Sequence, residues 1–265
     1  RTEEDLMQLV PWRKGPLTKM GNLGTPKEVF LQAIQTALGK SDRQPTDPYA
    51  PLTQTLQQLE EELFSLRQYL ASNESDIVDK LKDTAASKGW QLHHASSEIA
   101  VSDCIYHLLD DTDRPGLVVR SDQDIFQQVP IDRALVDKGI QVQVISQSTG
   151  LSQEQLRQHM IQADIGVTGV DYAIAETGSV VLIPKRGLSR LVSLVPPIHV
   201  AIVRPQEEVA TLENIFLLQR IAYYKGELWH YVNFVSGPSR TADIDQTLVV
   251  GVHGPKQAHM ILLES

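Results

Sequence analysis

A largely parallel β-sheet covered by helices on both faces is the fold that the sequence predicts. From residue 89 onward, short apolar runs alternate with stretches of helical period, the pattern of successive βα units rather than of hairpins. Several of those runs, such as Gly116-Leu-Val-Val-Arg120, Ser179-Val-Val-Leu-Ile183 and Ile198-His-Val-Ala-Ile-Val203, are apolar almost throughout, as strands buried on both faces are. The chain has 265 residues, 42% of them hydrophobic, enough for one large α/β domain with small appendages.

Taken in order, residues 1–24 read as an arm or tag remnant, because Trp12-Arg13-Lys14-Gly15-Pro16 and Gly21-Asn22-Leu23-Gly24 break any periodic pattern. Residues 25–88 form a helical extension that packs as one unit with the α/β domain of residues 89–265. Thr25 caps its first helix, Pro26 suits the first helical position and Glu28 is acidic in the first turn, with Phe30, Ile34, Ala37 and Leu38 on one face. The polar, proline-containing stretch from Gly39 to Pro51 is a linker. Leu56, Leu59, Leu63, Leu66 and Leu70 repeat at a helical period, Ser72-Asn73 interrupts, and Ile77, Leu81 and Ala85 resume it. A helical hairpin laid on a sheet accounts for that stripe, and a partner helix is the alternative.

Strands are expected at 89–93, 116–120, 141–145, 163–169, 179–183, 198–203, 247–251 and 258–263, and helices at 97–109, 152–161 and 211–221. Residues 124–138 mix loop and helix, and Ser152 is placed to cap the helix that follows it.

Bulk properties exclude several functions. The net charge of −9 argues against a nucleic-acid binder, which needs cations to displace counterions from phosphates; a small anion can still be held by a local Arg or Lys. No apolar run approaches the roughly 18–20 residues that cross a bilayer. No leader pattern is visible at the start, although the first residue is Arg and a removed leader stays open. The single cysteine, Cys104, lies in an apolar helical stretch. It cannot supply an internal disulfide or a thiolate cage for zinc or an iron–sulfur cluster, and it fits a cytoplasmic protein.

Three glycine-rich segments can carry chemistry. In the first, Gly166, Gly169 and Gly178 permit positive φ or close approach of the backbone to a ligand, and Asp171 and Glu176 add carboxylates; a turn cap and an ion pair are the plain alternatives. It is not a dinucleotide fingerprint, because the glycines do not follow the G-x-G-x-x-G spacing. In the second, Ser236, Gly237, Ser239, Arg240, Thr241 and Asp243 can cradle a phosphate or carboxylate, with Asp243 and Asp245 orienting the arginine; a capped turn before a short helix fits as well. In the third, His253 between Gly251 and Gly254 is a candidate acid/base group, and Lys256 can attract an anion. His199, inside an apolar strand, reads as a core histidine, and Lys185, Arg186 and Arg190 as a solvated basic face or an anion clamp.

Taken together, the blocks 166–182, 194–201, 236–244 and 251–255 resemble the LUD domain of the lactate utilization protein C family. The likeness runs from about Pro26 to the C-terminus, and Asp245 stands where the family pattern has Glu. The resemblance implies a Rossmann-like three-layer α/β/α sandwich similar to ribose-phosphate isomerase A, glucosamine-phosphate deaminase and coenzyme A transferases, with the ligand site at the carboxyl ends of the strands. It implies a part in oxidising L-lactate to pyruvate beside partner subunits that hold iron–sulfur clusters, with no cofactor in this cysteine-poor chain. Ala175-Glu-Thr-Gly178 also resembles the Glu-Asn-Gly element of coenzyme A transferases, which would make Glu176 a nucleophile. Thr177 in place of the Asn departs from that element. A transferase- or isomerase-like enzyme using Glu176, with His253 beside it, and a non-catalytic scaffold are the two alternatives to a ligand-binding subunit.

Overall fold

The strands that the sequence marks as buried on both faces come together in one sheet. The structure is a computed structural model that describes residues 27–37, 53–109, 116–184, 189–227, 231–244 and 247–264. The chain divides into two compact units, Arg1–Gln54 and Thr55–Ser265. The first contains helix α1 (Lys27–Ala37); the proposed arm at 1–24 lies outside the described residues.

The second unit opens with α2 (Leu56–Ser72), whose N-cap Thr55 forms a capping box with Gln58, and α3 (Glu74–Lys88), which Gly89 ends at φ 95°. Then follow β1 (Gln91–Ala95), α4 (Glu98–His107), β2 (Leu117–Ser121), the short α5 (Ile125–Gln128) and α6 (Ile131–Asp137), β3 (Gln141–Ile145), α7 (Gln153–Gln162) and β4 (Ile165–Gly169). Ser152 caps α7 as expected, accepting from the Gln155 N–H. After β4 come β5 (Tyr172–Ile174), β6 (Ser179–Leu182), β7 (Ile198–Val203), β8 (Glu208–Val209), α8 (Leu212–Tyr224), β9 (Asn233–Val235), β10 (Arg240–Ile244), β11 (Thr247–Val250) and β12 (Gln257–Leu263).

The main sheet has the order β1-β12-β7-β4-β2-β3, and every pairing in it is parallel. Five of its strands, read β3-β2-β4-β7-β12, follow the doubly wound order in which the winding of the chain across the sheet reverses between β2 and β4. Alternate residues serve opposite faces. Val118, Val167, Val200, Ile202 and Ile261 pack on Val101 and Ile105 of α4, Ile125 and Phe126 of α5, and Ile131 and Leu135 of α6. On the other face, Val119 and Ile145 meet Leu156 and Met160 of α7, while Ala201, Val203, Met260 and Leu262 meet Ile77, Leu81 and Ala85 of α3.

That second face is also covered by a smaller sheet, β8-β5-β6-β9, through Ala173 and Val180. Its outer side carries Ile174 and Val181 against Ile215 of α8. The leucine stripe of α2 is occupied here: Leu59 is fully buried with Leu217 and Ile221 of α8, and Leu56, Leu63 and Leu66 border them. The expected central sheet with helices on both faces is present. The strand expected at 179–183 is found in the smaller sheet instead of the main one. The stretch for which a capped turn before a short helix is one of two readings is strand β10, paired antiparallel with β11 (Arg240↔Val250, Thr241↔Val249), because the hairpin supplies partners for its backbone that spacing alone does not reveal.

Candidate functional site

The second and third glycine-rich segments sit where strands begin. Lys256 immediately precedes β12, and its N–H donates to the Pro197 carbonyl, just ahead of β7, at 2.8 Å. The Ser239 N–H donates to Pro255 O and the Gly251 N–H to Ser239 O, both at 2.9 Å, and a Cβ on Gly254 would lie 3.2 Å from that of Ser239. A Cβ on Gly237 (φ 102°) would lie 2.5 Å from Lys88 O, and the Arg240 guanidinium fills the space beside Gly89, so both residues border the start of β1. Ser236, Gly237, Ser239, Arg240, Gly254 and Lys256 therefore gather at the amino ends of β1, β12 and β7. The resemblance to sugar-phosphate isomerases and transferases implied the opposite, carboxyl edge. The cause is topological: these loops feed the strands rather than leave them.

At that edge Arg240 lies by the C-terminal turn of α3, where the partial negative charge of the helix favours a cation. Arg240, His253 and Lys256 are exposed, and Thr241 is half-buried. Asp243 falls within β10, and Asp245, Lys185 and Arg186 lie outside the described residues. Arg190 reaches Tyr231, its guanidinium 5.6 Å from the ring centre.

The glycines of the first segment serve the chain's own packing. Gly166 and Gly169 do not take positive φ. A side chain at Gly166 would run into the Val192 carbonyl, and one at Gly169 would come 2.6 Å from the Ile125 side chain. Gly178 (φ 63°) lies against α3, with Ala85 N at 2.5 Å from its would-be Cβ, and Thr84 Oγ1 donates to Ala175 O at 2.6 Å beside it. Asp171 accepts from the Ile183 N–H at 2.7 Å and closes one end of the β5–β6 hairpin. Glu176, at the other end, accepts from the Leu212 N–H at 2.9 Å. It thus occupies the N-terminus of α8, the place an anion prefers. From that turn a chain of hydroxyls, Thr177 to Ser179 at 2.9 Å and Ser179 to Ser236 at 2.6 Å, joins the first segment to the second. Glu176 and Asp171 thus lie at opposite ends of the hairpin.

The carboxyl edge holds polar groups that sequence reasoning missed. Beyond β2, a cavity of about 270 Å³ is lined by Arg120, Asp122, Gln123, Asp124, Phe126 and Gln127, next to the point where the chain direction reverses. Arg120 is held by Asp132 in a two-pronged pair at 2.6 and 2.7 Å and lies 4.7 Å from the Phe126 ring centre. Ser121 donates to Gln123 at 2.5 Å and Ser148 to Asp122 at 3.4 Å. From the end of β7, Arg204 pairs with Glu207 and donates to Gln128 at 2.9 Å. The available signal was a polar run, Ser121-Asp-Gln-Asp124, directly after a short apolar strand.

Histidines thread the sheet. His199 bonds Thr168 at 2.9 Å, yet its Nδ1 and the Trp90 Nε1, whose rings are 6.0 Å apart, have no partner among the described residues. Burial, helped by His259, pushes His199 down to about 3. His259 lies 3.0 Å from His93, and burial with that neighbour takes it to about 4. Burial likewise raises the Cys104 thiol. Among the described residues no group of three or more His, Cys, Asp or Glu side chains could hold a metal ion, and no helix is long and apolar enough to cross a membrane.

The LUD domain profile matches residues 69–263, which span all the described strands. The chain belongs to the LUD domain family. Lactate utilization protein C of Halalkalibacterium halodurans is 42% identical over 125 residues, 47% of this chain and 53% of that protein, so the chain spans about half the length of this relative. Lactate utilization protein C of Bacillus licheniformis is 32% identical over 206 residues, 75% of this chain and 82% of that protein. A crystal structure of a DUF162 family protein from Deinococcus radiodurans is 20% identical, covers 72% of this chain and 98% of that one, and superposes with a TM-score of 0.47.

Proposed function

We propose that this LUD-domain chain is the cysteine-poor subunit of a lactate-utilization system, that it acts in the oxidation of L-lactate to pyruvate beside subunits carrying the iron–sulfur clusters, and that it holds a small anionic ligand. The observation that carries this reading is its likeness to lactate utilization protein C across 206 residues. The single cysteine supports placing the clusters in partners. Arg240 and Lys256, gathered with the Ser236 and Ser239 hydroxyls at one edge of the sheet, supply the charge and donors that a carboxylate or phosphate needs. Glu176 contributes less, because its carboxylate is engaged by the Leu212 N–H.

Thermal-shift titration with lactate, pyruvate, coenzyme A and sugar phosphates tests this reading. One of these should raise the melting temperature of the native chain and not that of Arg240→Ala. Silence with all four, together with normal growth on lactate of a strain carrying Arg240→Ala, would sink it.

A scaffold reading is favoured by one specific feature. Phe64 and Tyr69 of α2 and Phe216, Tyr223 and Tyr224 of α8 are exposed on the outer layer, and large exposed aromatics mark protein contacts. Under this reading Phe216→Asp with Tyr223→Asp abolishes co-purification with the iron–sulfur subunits, and retention of those subunits rejects it.

A further inference from the structure

The corner between α2 and α3 faces the turn between β7 and β8 across a cavity of about 310 Å³, lined by Leu70, Ala71, Glu74, Ile77, Pro205, Gln206 and Glu208. Four of these side chains are apolar and two are carboxylates. Glu208 is only 9% exposed, and its Oε2 has no hydrogen-bond partner among the described residues. A buried carboxylate oxygen without a donor is costly, and a native protein keeps one where something else satisfies it.

The charges around it do not. Glu207, its neighbour in sequence, is already committed to Arg204, whose Nε donates to it at 2.8 Å. Lys82, the cation that acts on Glu208 from α3, is paired with Asp79 at 3.1 Å. Glu74 adds a second negative charge on the cavity wall.

We propose that this cavity binds the ammonium group of a small organic amine, with Glu208 as its charged partner, Glu74 as a second attraction, and Leu70, Ile77 and Pro205 enclosing the apolar part of the ligand. An ammonium gives the Glu208 carboxylate a charged partner and offsets the two carboxylates of the lining, which a neutral or anionic ligand does not. The volume is at the lower limit of small-molecule sites, so the ligand is small. The cavity lies beyond the carboxyl end of β7, on the opposite edge from Arg240 and Lys256, and the inference does not depend on the lactate reading.

Burial, with Glu74 and Glu207 adding to it and Lys82 opposing, pushes Glu208 up to about 7. Binding is therefore linked to protons. Glu208 must ionise to pair with the amine, and its ionised fraction rises from about a tenth at pH 6 to about nine-tenths at pH 8.

The test is NMR titration of the full chain with n-butylammonium, and with 1-butanol as the neutral counterpart. The ammonium should bind saturably, about ten-fold more tightly at pH 8 than at pH 6, and 1-butanol more weakly. Glu208→Gln should remove both the preference for the ammonium and its pH dependence, and Glu74→Gln should weaken binding several-fold. A second measurement needs no substitution: the Glu208 carboxyl carbon, followed by its chemical shift, should titrate near neutrality in the free chain and at least one pH unit lower with saturating n-butylammonium. Equal binding of ammonium and alcohol, undiminished binding to Glu208→Gln, or a Glu208 titration that the amine leaves in place overturns the proposal.

Discussion

Replacing Gly178 with Ala should destabilise the folded chain in the absence of any ligand. The residue sits at φ 63°, a conformation that costs an L-residue roughly 1–2 kcal/mol. Its new Cβ would also meet Ala85 N at 2.5 Å and Thr84 C at 2.6 Å. These are backbone atoms of α3 and cannot rotate away, so an overpacking cost of about 1–3 kcal/mol is added. Stiffening of the unfolded chain returns about 0.4–1 kcal/mol. The net loss is about 1–4.6 kcal/mol, centred near 3, and a unit of this size loses roughly 2–4 °C of melting temperature per kcal/mol. Urea denaturation of the purified chain measures the loss directly. Gly226→Ala is the control, because Gly226 also has positive φ (76°) but nothing within 4 Å of its would-be Cβ, so it should lose about 1 kcal/mol from backbone strain alone. If Gly178→Ala costs no more than Gly226→Ala, the close packing of the Ala175–Gly178 turn on α3 is not what requires glycine there.

Further outcomes follow from the same geometry. Glu176→Ala should cost about 1 kcal/mol by removing the acceptor for the first N–H of α8, with Glu176→Gln nearer to native in the same denaturation assay. His199 and His259 are held at about 3 and about 4, below the unfolded value near 6.5, so the unfolded chain binds more protons as pH falls through that window; each should withdraw about 2 kcal/mol between pH 7 and pH 5. Glu208 works the other way: its folded value of about 7 lies above the unfolded one, so its contribution is present in acid and lost as pH rises toward 7. Glu208→Gln should accordingly stabilise the fold by about 3 kcal/mol at pH 8 and by about 1 kcal/mol at pH 5, making the loss of stability on acidification steeper than in the native chain. A gain independent of pH contradicts this assignment.

What the sequence discloses depends on how many residues a feature spans. The strands β2, β3, β4 and β7 were legible because each spans five or six residues and carries at least two β-branched or other large aliphatic side chains, and the helical period of α2 survives seventeen residues. The smaller sheet was not, because β5 and β9 have three residues and β8 has two, too few for any period to register. Strand β10 reads Arg-Thr-Ala-Asp-Ile, a polar string that becomes a strand only through its partner β11. The candidate site divides in the same way. The residues at the amino edge were found because they cluster in sequence. Those at the carboxyl edge were missed because Arg120, Asp132, Ser148 and Arg204 come from separate elements and meet only through the parallel register. Glu208 could not have been singled out, since its burial arises from the α2–α3 corner folding over the end of β7.

The packing also changes what counts as a test of the amino-edge site. Glycine there was read as room for a ligand, yet at Gly166, Gly178 and Gly237 a Cβ would collide with Val192, Ala85 and Lys88 of the chain itself. Glycine at these positions is required by the fold whether or not a ligand binds, so loss of function on replacing one of them would not distinguish a damaged site from a damaged fold. The discriminating positions are those whose side chains the fold leaves exposed: Ser236, Arg240, His253 and Lys256. At Lys256 the backbone N–H donates to Pro197 and the stem of the side chain lies against Gly251, and Lys256→Gln keeps both while removing the charge. A ligand held by its anion should then lose affinity without a shift in the stability of the free chain, whereas a purely structural role for this edge would leave affinity and stability moving together.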